Sequence, residues 1–470
     1  VEPGVVDQLA AIVGSAHAST DAATLSAYGH DALQIGRPAD LVLIPGDASE
    51  ISAIARLCNE RRVPLVVRGA GTGYTGGAVP VRGGVVLSME RLNRILEIDE
   101  ENLLVIAQPH VITGDLQDAV ERRGLFYPPD PASLRQSSIG GNVAECAGGP
   151  RAVKYGTTKR YVLALEAVLP TGEIIRTGSK AVKNVVGYDL TQLLVGSEGT
   201  LAILTEITLR LVPKPPVQST MQATFVDIGG AVAAVSLLLA ARVLPATIEL
   251  VDRESLAAVE RHLARAIAPA ATGAMLIIEV DGVAGGVEEE SERILAACRR
   301  AGAITVQRAG TDRERDAIWE ARRELSYALR TLAPRKINHD VVVPRGRVPQ
   351  LFDLVDRLRR DHRLSIPCFG HAGDGNIHVN LMCNPADADQ MRRARAAERA
   401  LFQGVVALEG SISGEHGIGF AKAPYLGIEL SSDVIALMKR VKLAFDPNEI
   451  LNPGKMWEDA VSDGERRTKN

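Results

Sequence analysis

The sequence predicts an α+β protein of two domains, on three observations. Glycine-rich loops interrupt short strands over the first half, Pro213-Lys214-Pro215-Pro216 stiffens an exit, and longer helices interleave with strands beyond it. In order, the first forty residues read as a helix and an irregular lead-in. Helical spacing follows over 51–62, with Asp47 and Glu50 placed as a capping box, before Pro64 stops the helix. Strands are expected over 65–67, 85–88, 95–98, 103–108, 161–169 and 205–211, with a helix over 113–123 and a turn at 170–173. After the prolines, strands near 221–225, 247–250, 274–280 and 304–307 alternate with helices around 228–243, 284–301 and 311–332. That order suits a sheet with helices on one face. A last helix is expected over 431–444.

Five glycines fall in nine residues over 69–77, directly after the strand Leu65-Val66-Val67. Glycines in a row leave successive backbone N–H groups free to point one way, a nest that suits phosphate. Gly71, Gly73 and Gly76 spell G-x-G-x-x-G, but a Rossmann fingerprint needs a helix next, and here Gly83-Gly84 and another strand follow. The reading is a pyrophosphate cradle of non-Rossmann type, against the alternative of a structural turn. Two further glycine-rich segments, 137–149 and 196–203, suggest a long cofactor lying against the backbone.

A net charge of −4 argues against a nucleic-acid binder or a strongly basic membrane-surface protein. The five cysteines are odd in number and scattered with no C-x-x-C, which fits a reduced, cytoplasmic setting and places any iron–sulfur cluster elsewhere. No signal peptide is visible, and the longest apolar run, near 231–241, is too short to span a bilayer.

Chemistry gathers late in the chain. His371 and His378 stand seven apart around a Gly-Asp-Gly-Asn turn, and His378 and Asn380 share one face of the strand expected from Ile377. Glu415 and His416 sit in the glycine-flanked loop Ser413-Gly414-Glu415-His416-Gly417. Two histidines and a glutamate form a common catalytic metal set; two hydrogen-bonded loop histidines are the alternative. His339 could be a further partner, or a paired surface histidine. Arg322, on a helix, has the fork that matches a carboxylate, although helical arginines are commonly solvated.

Together the glycine loop, 196–203, 371–380, Gly414-Glu415-His416-Gly417 and Leu451-Asn452-Pro453-Gly454-Lys455 resemble the flavin-dependent oxidases of the vanillyl-alcohol oxidase type. Within them the chain looks most like the branch holding the glycolate oxidase D subunit, D-lactate dehydrogenase and D-2-hydroxyglutarate dehydrogenase. The resemblance implies a PCMH-type FAD-binding domain of two α+β subdomains (1–215) and a cap domain with an antiparallel sheet covered by helices (216–430). It also implies a C-terminal segment returning to the FAD domain (431–457), and the charged tail over 458–470 is expected to be disordered.

Carried over, Arg68, Gly69, Ala70, Gly71, Thr72, Gly73, Thr75, Gly76 and Gly77 would bind the pyrophosphate. Pro131, Ser137, Gly140, Gly141, Asn142, Ala144, Gly148 and Tyr155 would line the flavin, Glu198, Gly199 and Ile203 would complete its adenine and ribitol side, and Asn452 would return near the ring. Covalent relatives carry a histidine where Thr72 stands, which implies noncovalent FAD. His371, His378 and Glu415 match the ligands of a divalent metal, zinc first with manganese or iron as alternatives. His416 matches the catalytic base, and Arg322, Ser326, Lys336 and Asn380 would contact substrate.

The implied reaction is oxidation of a small (R)-2-hydroxy acid, glycolate or D-lactate, by hydride transfer to flavin N5 after metal-assisted deprotonation of the hydroxyl. Some hydroxyglutarate relatives carry a lysine where Asn338 stands, which weakens the dicarboxylate alternative. A non-catalytic electron-relay subunit is the reading from another class; such a subunit should lack the metal ligands and base. Expected partners are the hydroxy acid and an electron acceptor: flavin or iron–sulfur subunits, an electron-transferring flavoprotein, a cytochrome or a quinone. A homodimer and peripheral membrane association through partner subunits are also compatible with the family.

Overall fold

The computed structural model describes residues 1–457; the expected disordered tail lies outside the described residues. The chain divides into two units: Val1–Ala147, Thr157–Lys214 and the chain from Glu415 onward form the first, Gly148–Gly156 and Pro215–Gly414 the second. The exit falls at the prolines. The return comes at Glu415, ahead of the expected 431, with no proline to mark it.

The first unit holds two sheets. One has the strand order Ala18–Ser19, Leu41–Leu43, Val85–Ser88, Leu65–Arg68, the last three parallel. The helix Ala48–Arg61 buries Ile51, Ile54, Ala55 and Cys58, the i, i+3, i+4, i+7 spacing of one helical face, in a core with Leu41, Leu65 and Val85. Each such aliphatic side chain contributes about 1.5–3 kcal/mol on full burial. Asp47 caps the helix by accepting from Ser49 and Glu50 N–H, but Glu50 binds the N–H of Gly46, so the expected capping box is not closed on Asp47. Leu451 adds in parallel beside Leu65, with Leu65 N–H donating to Ile450 O and Asn452 N–H to Leu65 O. The C-terminal segment therefore covers the free edge of the strand that feeds the glycine loop.

The other sheet is antiparallel, in the order Ile95–Asp99, Leu104–Ala107, Ile203–Arg210, Val162–Val168, Ile174–Gly178. All five cysteines are free thiols. Among the described residues no helix is long and apolar enough to cross a membrane.

The second unit is built on a seven-stranded antiparallel sheet: Thr305–Arg308, Val217–Phe225, Ala274–Gly282, Thr247–Asp252, Cys368–His371, Asn376–Cys383, Arg335–Val342. Directly paired residues share a face, so the register sorts the side chains. One face carries Ile248, Leu250, Ile278, Ile377, Val379 and Val341, and the helices Ile228–Ala240, Ala284–Arg300 and Ala388–Ala407 pack there. The opposite face carries Glu249, His371, Asn376, His378, Asn380, Asp340, Asn338 and Lys336. Towards its other end Val251, Met275, Ile277 and Phe369 form a second core with the helices Arg253–Leu263 and Asp312–Ala328. Helices therefore cover both faces, not the single face expected, and the polar residues are gathered on one part of one face.

Candidate active site

The glycine loop runs out of Leu65–Arg68 into Val85–Ser88 with no helix between. Gly71 and Gly76 take left-handed backbone (φ 68° and 82°), and a Cβ at Gly76 would strike the Phe420 ring. The backbone N–H groups of Gly69, Ala70, Gly71, Thr72 and Gly73 donate to no protein atom among the described residues, and all five residues are half-buried. Beside them the half-buried Arg68 guanidinium packs against Gly71 and donates to His30 O at 2.5 Å. Unpaired donors in a row with a half-buried cation alongside fit a pyrophosphate. Asp31, which sequence reasoning missed, accepts from the N–H of Leu33; burial pushes its carboxyl up to about 6, which lessens its repulsion of a phosphate.

The other two glycine segments close around this loop. Gly69 abuts the Ser138 hydroxyl and Gly77 the Glu145 carboxylate. Gly196 N–H donates to Val143 O and Glu198 N–H to Ala144 O. Asn452 donates to Gly77 O (2.9 Å) and Glu198 O (2.7 Å), and buried Lys455 donates to Val79 O (2.6 Å). Gly140, Gly141, Ala144 and Gly199 keep half-buried backbone, whereas Ser137, Asn142 and Ile203 are buried, the first two on the Thr113 hydroxyl. Gly148 and Tyr155 belong to the second unit, where Tyr155 and Lys154 both bind Asp281, at 2.7 and 2.5 Å. Pro131 sits in the loop before Ser137, its carbonyl accepting from Leu134 N–H.

His416 lies with the first unit. Its carbonyl accepts from the Thr75 hydroxyl (3.0 Å), and its ring stacks on Tyr74 with centroids 5.2 Å apart. The loop beyond is pinned by Glu198, whose carboxylate takes the N–H of Ile418 (2.7 Å) and Gly419 (2.6 Å). That carboxylate, proposed for the adenine and ribitol side, also fixes the segment carrying His416. Burial drives its pKa up against those two hydrogen bonds.

In the second unit His371 and His378 are buried with rings 5.4 Å apart, edge to face. Asp340 binds the N–H of Gly414 through its side chain (3.0 Å) and its backbone (2.9 Å), and Glu415 is the next residue. One ligand atom from each of His371, His378 and Glu415 lies within 4.8 Å of the others. Nδ1 of His371 is committed to Glu249, which leaves Nε2 to face an ion; three such donors suit a divalent cation with open positions. His339 is on the opposite face, buried, 2.9 Å from Glu398 and edge-on to Phe402, so it is paired, though not on the surface, and stands apart from this set.

Arg322, only 8 % exposed, hydrogen-bonds Glu249 through Nε and stacks over Phe369 at 4.8 Å. Lys336 donates to the Ser326 hydroxyl at 2.6 Å; burial, and then Arg330, lower its pKa to about 8. Asn380 faces Asn338 across the strand pair and donates to Pro367 O and His378 O. Two residues missed in the sequence stand among these. Glu249 lies directly opposite His371, and its signal was a lone carboxylate inside an apolar strand. Asn376 is 5 % exposed, and neither end of its amide has a hydrogen-bond partner among the described residues. A buried amide of that kind awaits a ligand or water.

These features define an FAD-linked oxidoreductase, and the chain belongs to that family. Residues 39–178 match the family described as "FAD binding domain", and residues 214–456 match "FAD linked oxidases, C-terminal domain". The chain is 45 % identical over 454 residues to the glycolate oxidase subunit GlcD of Bacillus subtilis (strain 168), covering 96 % of each. It is 36 % identical over 442 residues to a D-lactate dehydrogenase of Anaerostipes hadrus, covering 91 % of this chain and 92 % of that one. The structure of p-cresol methylhydroxylase with substrate bound superposes with a TM-score of 0.82, covering 98 % of this chain and 99 % of that one; at 17 % identity it shows the fold alone.

Proposed function

We propose that the protein oxidises a small (R)-2-hydroxy acid, glycolate or (R)-lactate, to the 2-oxo acid. One observation carries the reading: a single polar sheet face bears His371, His378, Asn380 and Lys336, with Arg322 held against it through Glu249. Relatives named as a glycolate oxidase subunit and a D-lactate dehydrogenase support it. When bound, FAD accepts the hydride and a divalent cation, zinc first, acidifies the substrate hydroxyl. The chain's own residues do the rest. Arg322 and Lys336 hold the carboxylate, Ser326 and Asn380 orient the substrate, and His416 takes the hydroxyl proton. Asn338 faces Asn380 where a dicarboxylate would call for another cation, which favours a monocarboxylate over 2-hydroxyglutarate. Electrons then pass to an external acceptor such as a partner flavin or iron–sulfur subunit, an electron-transferring flavoprotein, a cytochrome or a quinone. A screen of 2-hydroxy acids with an artificial electron acceptor tests this: glycolate or (R)-lactate should give the highest kcat/KM, and preferred turnover of 2-hydroxyglutarate would refute it.

Lys336 makes binding pH-dependent. Below about 8 its ammonium is charged and attracts the substrate carboxylate; above it the amine is neutral. KM should therefore rise as pH passes upward through about 8. Lys336→Met should raise KM below about pH 8, approach the wild type above it and so flatten that dependence, and an unaltered KM profile in the variant would remove Lys336 from the site.

With Thr72 at the tethering position, FAD should be held noncovalently. Acid denaturation should release all of it to the supernatant, and flavin fluorescence migrating with the chain on a denaturing gel would contradict this.

A further inference from the structure

We propose that Glu249 is a positioning residue that fixes the metal-facing nitrogen of His371 and the fork of Arg322 at once, so that one carboxylate sets the spacing between the metal ligand and the substrate clamp. The inference rests on the reading above and adds a residue to it. Glu249 occupies the middle of Thr247–Asp252, and the register puts it directly opposite His371 on the same sheet face. It is 0 % exposed, so bulk solvent does not reach its carboxylate and its charge calls for buried partners. Those partners are divided between its two oxygens: Oε1 takes Nδ1 of His371, and Oε2 takes Nε of Arg322.

Each bond has a consequence. A proton on Nδ1 donated to Oε1 fixes the tautomer of His371 and leaves the Nε2 lone pair for a cation. Binding through Nε, with the guanidinium stacked on Phe369, fixes the rotation of Arg322 and leaves its Nη groups outside that bond. Phe369 stands two residues before His371 on the same strand, so the stack and the hydrogen bond share one rigid support.

The simpler alternative is that Glu249 only neutralises the buried Arg322. Zinc affinity separates the two, measured on FAD-loaded protein by competition with a chelator, with zinc ion as the probe. Glu249→Gln should weaken zinc binding roughly 10–100-fold with FAD content unchanged. At saturating zinc it should raise KM more than it lowers kcat. Arg322→Met should leave zinc affinity within about twofold while raising KM. Should Glu249→Gln alone fail to fold, Glu249→Gln with Arg322→Met removes both charges and should still show the 10–100-fold zinc loss. Wild-type zinc affinity in either Glu249 variant would overturn the proposal and leave the function standing. A wild-type protein that binds no zinc would overturn both. Normal zinc binding and its loss in Glu249→Gln, without oxidation of any 2-hydroxy acid, would support the positioning role and sink the substrate assignment.

Discussion

His416→Ala should slow flavin reduction by roughly 10²–10⁴-fold, the usual contribution of a positioned general base, while FAD and metal stay bound. A 2-hydroxyl is far too weak an acid to lose its proton to water at neutral pH, so the histidine's contribution should fall on the chemical step. The surroundings predict a clean effect. The loop is held by backbone groups, with Thr75 on the His416 carbonyl and Glu198 on the N–H of Ile418 and Gly419, and none of these bonds uses the imidazole. Anaerobic single-turnover reduction is the measurement that checks it. A variant reducing its flavin at the wild-type rate would assign the base elsewhere.

Removing the metal should cost at least as much. Polarisation of a developing alkoxide supplies several kcal/mol, and each 1.36 kcal/mol is tenfold in rate, so chelation should slow oxidation about 10³-fold or more. FAD should remain, because the loop over 69–77 and most of the other residues that would hold it belong to the first unit and the histidine pair to the second. His378→Ala should copy the chelated protein, and zinc, manganese or iron(II) should restore only the wild type. Elemental analysis beside the reduction rate checks this; full-rate reduction in protein proven metal-free would make the histidines structural.

Much of the fold was legible because local rules and tertiary packing agree. Ile51, Ile54, Ala55 and Cys58 advertise one buried helix face, and Gly69–Gly73, with a strand on each side, advertise a phosphate nest. The proposed metal group was readable for the same reason, since His371, His378 and the Glu415-His416 pair sit in short glycine-flanked motifs. Glu249 was not. Its partner His371 is 122 residues away, and only the register of two strands makes them opposite. The strand Arg335–Val342 and the helices Val348–His362 and Ala388–Ala407 also passed unread. Nor does sequence announce that Gly148–Gly156 belongs to the second unit, because that depends on Lys154 and Tyr155 reaching Asp281. Side chains that serve a remote partner leave no local signature.

The proposed reaction removes hydride from a small (R)-2-hydroxy acid. Mixing FAD- and zinc-loaded protein with substrate under anaerobic conditions, with no acceptor present, tests it most directly. Glycolate or (R)-lactate should bleach the oxidised flavin completely, (S)-lactate should not, and (R)-2-hydroxyglutarate should be slower. A flavin that stays oxidised with every 2-hydroxy acid, in protein shown to hold both FAD and zinc, would contradict it.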